Sequence, residues 1–246
     1  MSAGILADLI NVMKRLALLL FILFAAAPLY AFGTYGEGKA YVLLRESGTK
    51  GIFIKSYEGL FEIATYDDGE KCAEEDQCFT PQKEELRFSV RLDNKDVIQF
   101  MQKNLDRMMI VEYRIHRIKP VSLSTGFEVL KAYPVQASHG PDFPWKYVSK
   151  VTGSSETSVY GKILRLEYRG TAVGTYEGLL YDRRLDKVRP FSVTDEAMAR
   201  HIYQCMDAQQ EYNIGLSRSI TTALEFRESK YDVFEINYRE RASSVE

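Results

Sequence analysis

One ordered set of landmarks occurs twice in this 246-residue chain, and that repetition limits what it can fold into more than any other feature. The first copy begins at Gly38-Lys39, runs through a strand-like stretch over 40–46, and reaches Gly51 and then Ser56-Tyr57-Glu58-Gly59-Leu60. Phe88-Ser89-Val90 follows, then a helical stretch and two strand-like runs ending near Val135. The second copy begins at Gly161-Lys162 and continues through 163–169 to Thr175-Tyr176-Glu177-Gly178-Leu179. It then gives Phe191-Ser192-Val193, a helical stretch and two strand-like runs ending near Arg239. Self-similarity of this kind means that the chain is built from one supersecondary unit used twice.

Periodicity assigns the elements within each copy. Leu164, Leu166 and Tyr168 alternate with Arg165, Glu167 and Arg169, the pattern of a strand with one face on a core. Val111, Tyr113 and Ile115 alternate with polar neighbours in the first copy, as do Phe234, Ile236 and Tyr238 in the second. The first helix is capped at Asp93 or Asn94 and presents Val97, Met101 and Leu105 on one face. The second is capped at Thr194, carries Asp195 and Glu196 in its first turn, and presents Met198, Ile202, Cys205 and Met206. Sixteen Tyr and thirteen Phe suit strands.

Each copy therefore reads β-β-β-α-β-β, the element order of a five-stranded OB-type barrel. The expected fold is mainly β (α+β), with two tandem OB-like units after an N-terminal apolar helix. The first unit spans 32–135 and the second 161–240. Residues 136–160, with His139-Gly140-Pro141 and Gly153-Ser154-Ser155, read as a linker, and 241–246 as a fraying tail.

The N-terminus addresses location. Lys14 and Arg15 precede an apolar run over 16–27, then Pro28-Leu29-Tyr30-Ala31. That is a basic region, a short apolar core and a small residue at a cleavage point, so 1–31 reads as a signal peptide or a retained membrane anchor. The run is shorter than the roughly 20 residues of a spanning helix. Met13 directly before Lys14 suits a natural start there. The expected location is the periplasm or cell envelope, with the membrane touched only through this segment if it is kept.

The cysteines fit that compartment. Cys72 and Cys78 flank five intervening residues of a polar segment, a loop that a disulfide closes readily where the surroundings are oxidising, two unpaired thiols being the alternative. Cys205 falls on the apolar face of the second helix and reads as an inert buried thiol.

Gly33-Thr34-Tyr35-Gly36-Glu37-Gly38 after the apolar segment, followed by Gly51 to Gly59 and by Phe88-Ser89-Val90 before a helix, resembles small membrane-anchored bacterial proteins often labelled 6-phosphogluconate dehydrogenase. The resemblance covers residues 14 to about 135 and implies an apolar helix followed by one β-rich unit. It brings no catalytic residues, and the second copy and the Cys72–Cys78 insertion depart from it. The dehydrogenase label fails on the residues. Gly36 and Gly38 are followed by Tyr41 where a dinucleotide fingerprint needs a third glycine, and the segment leads into a strand rather than a helix.

Other catalytic templates are absent. There is no Gly-x-Ser-x-Gly elbow and no phosphate loop. His116, His139 and His201 read as surface histidines, and the acidic run between Asp67 and Asp76 as solvated. No catalytic residue, metal or cofactor is assigned. The repeated Tyr57, Glu58, Gly59 and Tyr176, Glu177, Gly178 mark a kept binding feature or, more simply, a bend or bulge at the glycines. A net charge of −2 leaves no footprint for nucleic acid. The expected function is a non-enzymatic envelope module that binds another envelope protein, a glycan or a lipid. A hydrolase-like envelope enzyme with a site built from scattered residues of both units is the alternative.

Intact mass of the protein from fractionated cells checks location and thiol state together. The expected mass begins near Phe32, with two additional blockable thiols appearing only after reduction. A full-length cytoplasmic form with three free thiols would contradict both expectations.

Overall fold

The computed structural model describes residues 33–51, 55–67, 79–150, 153–170, 174–219 and 227–238, together with Lys14. The apolar N-terminal segment, Cys72, Cys78 and the tail from 239 lie outside the described residues. The chain is mainly β. Its strands are β1 (Thr34–Lys50), β2 (Ser56–Asp67), β3 (Thr80–Val90), β4 (Met108–His116), β5 (Phe127–Tyr133), β6 (Lys146–Val148), β7 (Glu156–Gly170), β8 (Gly174–Asp182), β9 (Lys187–Val193), β10 (Tyr212–Arg218) and β11 (Tyr231–Asn237). Helix α1 (Lys95–Lys103) lies between β3 and β4, and α2 (Glu196–Ala208) between β9 and β10.

Strand pairing repeats. β1 pairs with β2, β2 with β3, β3 with β5, β5 with β4, and β4 back with β1. β7, β8, β9, β11 and β10 form the same circuit in the same order. In each circuit one junction alone is parallel, Ser89 beside Glu128 and Ser192 beside Asp232.

The repeated strings are explained by this pairing, because they face each other. Tyr57, Glu58 and Gly59 stand opposite Val90, Ser89 and Phe88, and Tyr176, Glu177 and Gly178 opposite Val193, Ser192 and Phe191. The phenylalanine ring lies over the facing glycine: a Cβ on Gly59 would stand 2.6 Å from Phe88 Cζ, and one on Gly178 would overlap the Phe191 ring. Aromatic cover of a cross-strand glycine fixes register.

The Gly-Lys landmark, by contrast, is not in register. Bulges between Leu44 and Glu46 and between Ile163 and Arg165 align the first strands of the two units. Gly161 then stands where the first unit has Val42, not Gly38.

Each unit has its own core. Phe61, Phe88, Met101, Met109 and Val111 are among the buried residues of the first. Phe191, Met198, Ile202, Cys205 and Met206 are among those of the second. Two helix expectations need correction. Helix α1 ends at Lys103, so Leu105 lies beyond it and is exposed. Asp195, not Thr194, caps α2, its carboxylate accepting from the Ala197 and Met198 amides, while Thr194 donates to Asp232.

The stretch expected as a linker is partly built into the second unit. Strand β6 pairs with β11, and β7 begins at Glu156. Phe143 and Tyr147 pack against the second core. Gly140 and Pro141 do form a turn, closed by the Phe143 amide on the Gly140 carbonyl, but the aromatic residues that follow supply burial that holds the segment down.

The two units share a sheet. Residues 36–40 of β1 pair with β4 on one edge and with β7 on the other, giving the order β10-β11-β9-β8-β7-β1-β2-β3-β5-β4. Phe79 bridges to Val188 and packs with it and Leu179 beside Tyr66 and Leu164, a third apolar cluster drawn from both units.

Substituting Gly59 or Gly178 with Ala should lower stability by about 1–3 kcal/mol in urea denaturation, because the Glu46 backbone and the Phe88 ring must give way at the first site and the Phe191 ring at the second. Gly48→Ala, with open space at its Cβ, should fall within about 0.5 kcal/mol of the unsubstituted protein.

Candidate functional site

The double pairing of β1 creates a seam, and along it lies a trough. One hollow of about 400 Å³ is lined by Tyr35, Gly36, Tyr168, Tyr176 and other residues. A second, of about 280 Å³, is lined by Gly38, Lys39, Glu112, Tyr113 and others. Glu37 and Tyr203 line both, so the hollows adjoin.

Below the trough is a polar junction. Lys39 is 7% exposed. Its Nζ donates to Asp207 Oδ1 at 2.7 Å and to the Tyr203 carbonyl at 2.9 Å, with the Tyr133 and Tyr203 rings 5.6 and 5.8 Å away. The Tyr133 hydroxyl lies 2.9 Å from Asp207 Oδ1 and 3.2 Å from Glu112 Oε1. A cation of the first unit thus docks on the last turn of α2 in the second, where the carbonyls are partly negative. Tyr113 of β4 donates to Glu167 Oε2 of β7 at 2.6 Å, and Arg169 Nε donates to Glu167 Oε1 at 2.6 Å. Burial, with the Glu167 charge beside it, pushes the Tyr113 hydroxyl well up.

This corrects the alternation expected along β7. Tyr168 is 40% exposed and Glu167 is 2% exposed, the reverse of a strand with one solvated face. The reason is that β1 pairs along the edge of β7 and sets Gly38 between Tyr113 of β4 and Glu167, and across a residue with no side chain Glu167 meets Tyr113 instead of water.

The upper wall is aromatic. Tyr168 and Tyr176 stand 5.0 Å apart and tilted, and Tyr203 meets Tyr176 edge-on at 6.4 Å. A Cβ on Gly174 would overlap the Tyr168 ring, so that ring lies against the Gly174 backbone. Arg117 sits over Tyr35, 5.9 Å from its centroid. Arg114 Nε donates to Glu37 Oε1 at 2.6 Å.

Gly38 and Lys39 of the Gly-Lys landmark line the second hollow, and of the repeated Tyr-Glu-Gly residues Tyr176 alone lines the trough. Tyr57 is buried and donates to Ser47 Oγ at 2.7 Å. Glu58 accepts from Ser56 Oγ at 2.8 Å. Glu177 lies behind Tyr176, accepts from Ser192 Oγ at 2.7 Å, and is pushed up in pKa by burial. Gly59 and Gly178 serve strand packing. Cys72 and Cys78 lie outside the described residues. Sequence reasoning missed Tyr35, Glu37, Tyr168, Tyr203 and Asp207. Only the glycine-rich start around Tyr35 and Glu37 gave any signal, and it was read as a resemblance.

The histidines are less exposed than expected: His201 is buried, and His116 and His139 are half-buried. His116 Nε2 lies 2.6 Å from Glu128 Oε2, beside Arg91 on the same carboxylate. Burial raises Glu128, but the Arg91 and His116 contacts outweigh it and hold the carboxyl low. His139 and His201 belong to a run of four rings: His139 on Phe143 at 3.7 Å, Phe143 on His201 at 5.2 Å, and His201 on Tyr147 at 5.3 Å. His139 also contacts the Tyr212 hydroxyl. Cys205 Sγ is 3.6 Å from His201 Nε2, yet burial drives the thiol up and the imidazole down to about 4. Both stay neutral, the opposite of an activated thiolate pair. Among the described residues no group of three His, Cys, Asp or Glu could hold a metal ion, and no helix is long and apolar enough to cross a membrane.

Comparison with known families places the chain. Residues 33–139 and 153–243 match the family described as Domain of unknown function (DUF8785), and the chain belongs to it. No curated protein matches. Among solved structures, a deletion mutant of the single-stranded DNA binding protein from Thermus aquaticus is similar at 10% identity and a TM-score of 0.24, covering 88% of this chain and all of that one.

The buried ring run carries a pH dependence. His201 Nδ1 is buried without a hydrogen-bond partner, and burial lowers the imidazole from near 6.5 to about 4. Between those values the unfolded chain takes up a proton that the folded chain refuses. Stability from this residue is therefore complete above pH 6.5 and lost as pH falls toward 4, by about 3 kcal/mol. His201→Phe should flatten the fall by that amount in denaturation curves measured from pH 7 to 4.5. An unchanged slope would contradict it.

Proposed function

We propose that this member of the family is an exported, non-enzymatic binding module of the cell envelope, made of two OB-type barrels locked into one body. The trough along the β1–β7 seam is its ligand seat. The barrel reading rests on the two hydrogen-bonding circuits, each returning to its first strand with one parallel junction between the third and fifth. The export reading rests on Lys14, Arg15 and the apolar run over 16–27.

The observation that carries the binding reading is the trough itself. It needs residues of both units, since Tyr35 and Glu37 come from β1 while Tyr168, Tyr176 and Tyr203 come from β7, β8 and α2. Exposed aromatic rings held rigidly around a polar floor are what recognition surfaces use, because two side-chain torsions cost little entropy to fix. Glu37 and Glu112 line the trough, held by Arg114 and by Lys131, while the acids behind it do not serve the hydrolase alternative. Glu167 and Glu177 stand opposite each other on β7 and β8, but both are buried and bound within the fold rather than presented to the trough.

Co-sedimentation of the purified mature protein with isolated cell envelopes tests this. The protein should pellet with envelopes, and Tyr168→Ala should weaken retention about tenfold at unchanged circular dichroism. Retention that ignores Tyr168, or turnover of a hydrolase substrate abolished by a single substitution, would sink the reading.

A further inference from the structure

We propose that the trough takes a neutral oligosaccharide chain, which rests on its reading as the ligand seat and names the ligand class. The exposed Tyr168 ring is the platform. Gly174 backs the ring and Tyr176 stands 5.0 Å from it, and the ring still keeps 40% of its surface exposed at the trough. The apolar C–H face of a sugar ring packs on such a surface, and its hydroxyl edge then needs acceptors. Glu37 supplies one. Arg114 fixes its Oε1, and its Oε2 has no hydrogen bond among the described residues. Because Glu37 borders both hollows, one carboxylate serves a ligand running through the two. Their size is that of a small-molecule site.

Charge separates this ligand from the polyanions. Among the described residues, Lys39 is engaged by Asp207, Arg114 by Glu37, and Arg169 by Glu167 and Glu228, and Arg165, whose charge reaches Tyr113, does not line either hollow. Arg117 sits over the Tyr35 ring. Phosphate backbones and anionic lipid headgroups bind by cations presented to them, and Glu37 and Glu112 at the trough oppose that. Backbone geometry disfavours an extended peptide. Such ligands add a strand to an open edge, whereas residues 36–40 of β1 are paired on both edges. What remains for a ligand is ring faces and side-chain acceptors, the chemistry of an uncharged polyhydroxylated chain.

Isothermal titration tests the inference with N-acetylglucosamine tetramer and cellotetraose as neutral probes, and with oligo-dT, a galacturonate tetramer and a Lys-rich peptide as charged ones. Saturable binding of a neutral tetramer is expected, weakened about tenfold or more by Tyr168→Ala, retained by Tyr168→Phe, and weakened severalfold by Glu37→Gln. The Glu37→Gln variant keeps every ring in place, so a folding defect in Tyr168→Ala does not decide the matter. No binding of either neutral tetramer at about 10 mM overturns the inference, as does tighter Tyr168-dependent binding of a charged probe. If envelopes still retain the protein through Tyr168 while both neutral tetramers fail, the trough stands and the sugar falls. If Tyr168 matters to neither, both fall.

Discussion

Residues 36–40 of β1 hydrogen-bond on both edges, and the seam between the units follows from that. A strand held this way needs its neighbours close. A Cβ at Gly38 would stand 2.6 Å from the Leu166 carbonyl oxygen and 2.9 Å from the Tyr113 hydroxyl, and one at Gly36 would press on Glu167. The two glycines let β7 approach, and approach buries the next polar side chain, Lys39. A buried ammonium must be matched. Asp207 and the Tyr203 carbonyl, at the end of α2, match it and set the helix against the first unit. The trough is what is left above this contact, where Tyr203 and Glu37 emerge from the same junction.

The two copies keep the backbone plan and diverge in its polar details. Glu128 and Asp232 stand at the corresponding parallel junction. In the first unit burial is outweighed by Arg91 and His116, and the acid is held low. In the second, burial prevails over Thr194 and Arg227, and the acid is raised. Tyr57 and Tyr176 diverge similarly. The first is enclosed and donates to Ser47, whereas the second comes up beside Tyr168 because the seam lies on its side of the unit. Duplication supplied two similar frames, and their joining made the environments unequal.

Much of the frame was legible in the sequence because its signals are local. Alternation, helix stripes and the strings at Tyr57 and Phe88 mark elements, and pairing of those strings with each other explains why both recur. The Gly38 and Gly161 match misled, since a dipeptide carries too little information to survive a four-residue slip. The site was not legible. Glu167 and Tyr168 exchange their expected exposures because strands from the other unit pair beside β7 and bring Tyr113 to Glu167 across Gly38. His201 is covered by Phe143 and Tyr147 of a segment whose Gly, Pro and Ser read as a linker. Such features depend on which surfaces of the two units meet, and no periodicity within one unit records that.

The position of β1 also decides how the molecule would carry tension. The apolar segment ends only a few residues before β1 begins at Thr34. A pull on that segment, whatever holds it, runs along β1 between two antiparallel ladders. Loaded in this direction the inter-strand hydrogen bonds are sheared together rather than opened one after another, and the seam bears the force with both units at once. Tension applied at the start of β1 would therefore reach the wall of the trough, at Tyr35 and Glu37, before it reaches either core.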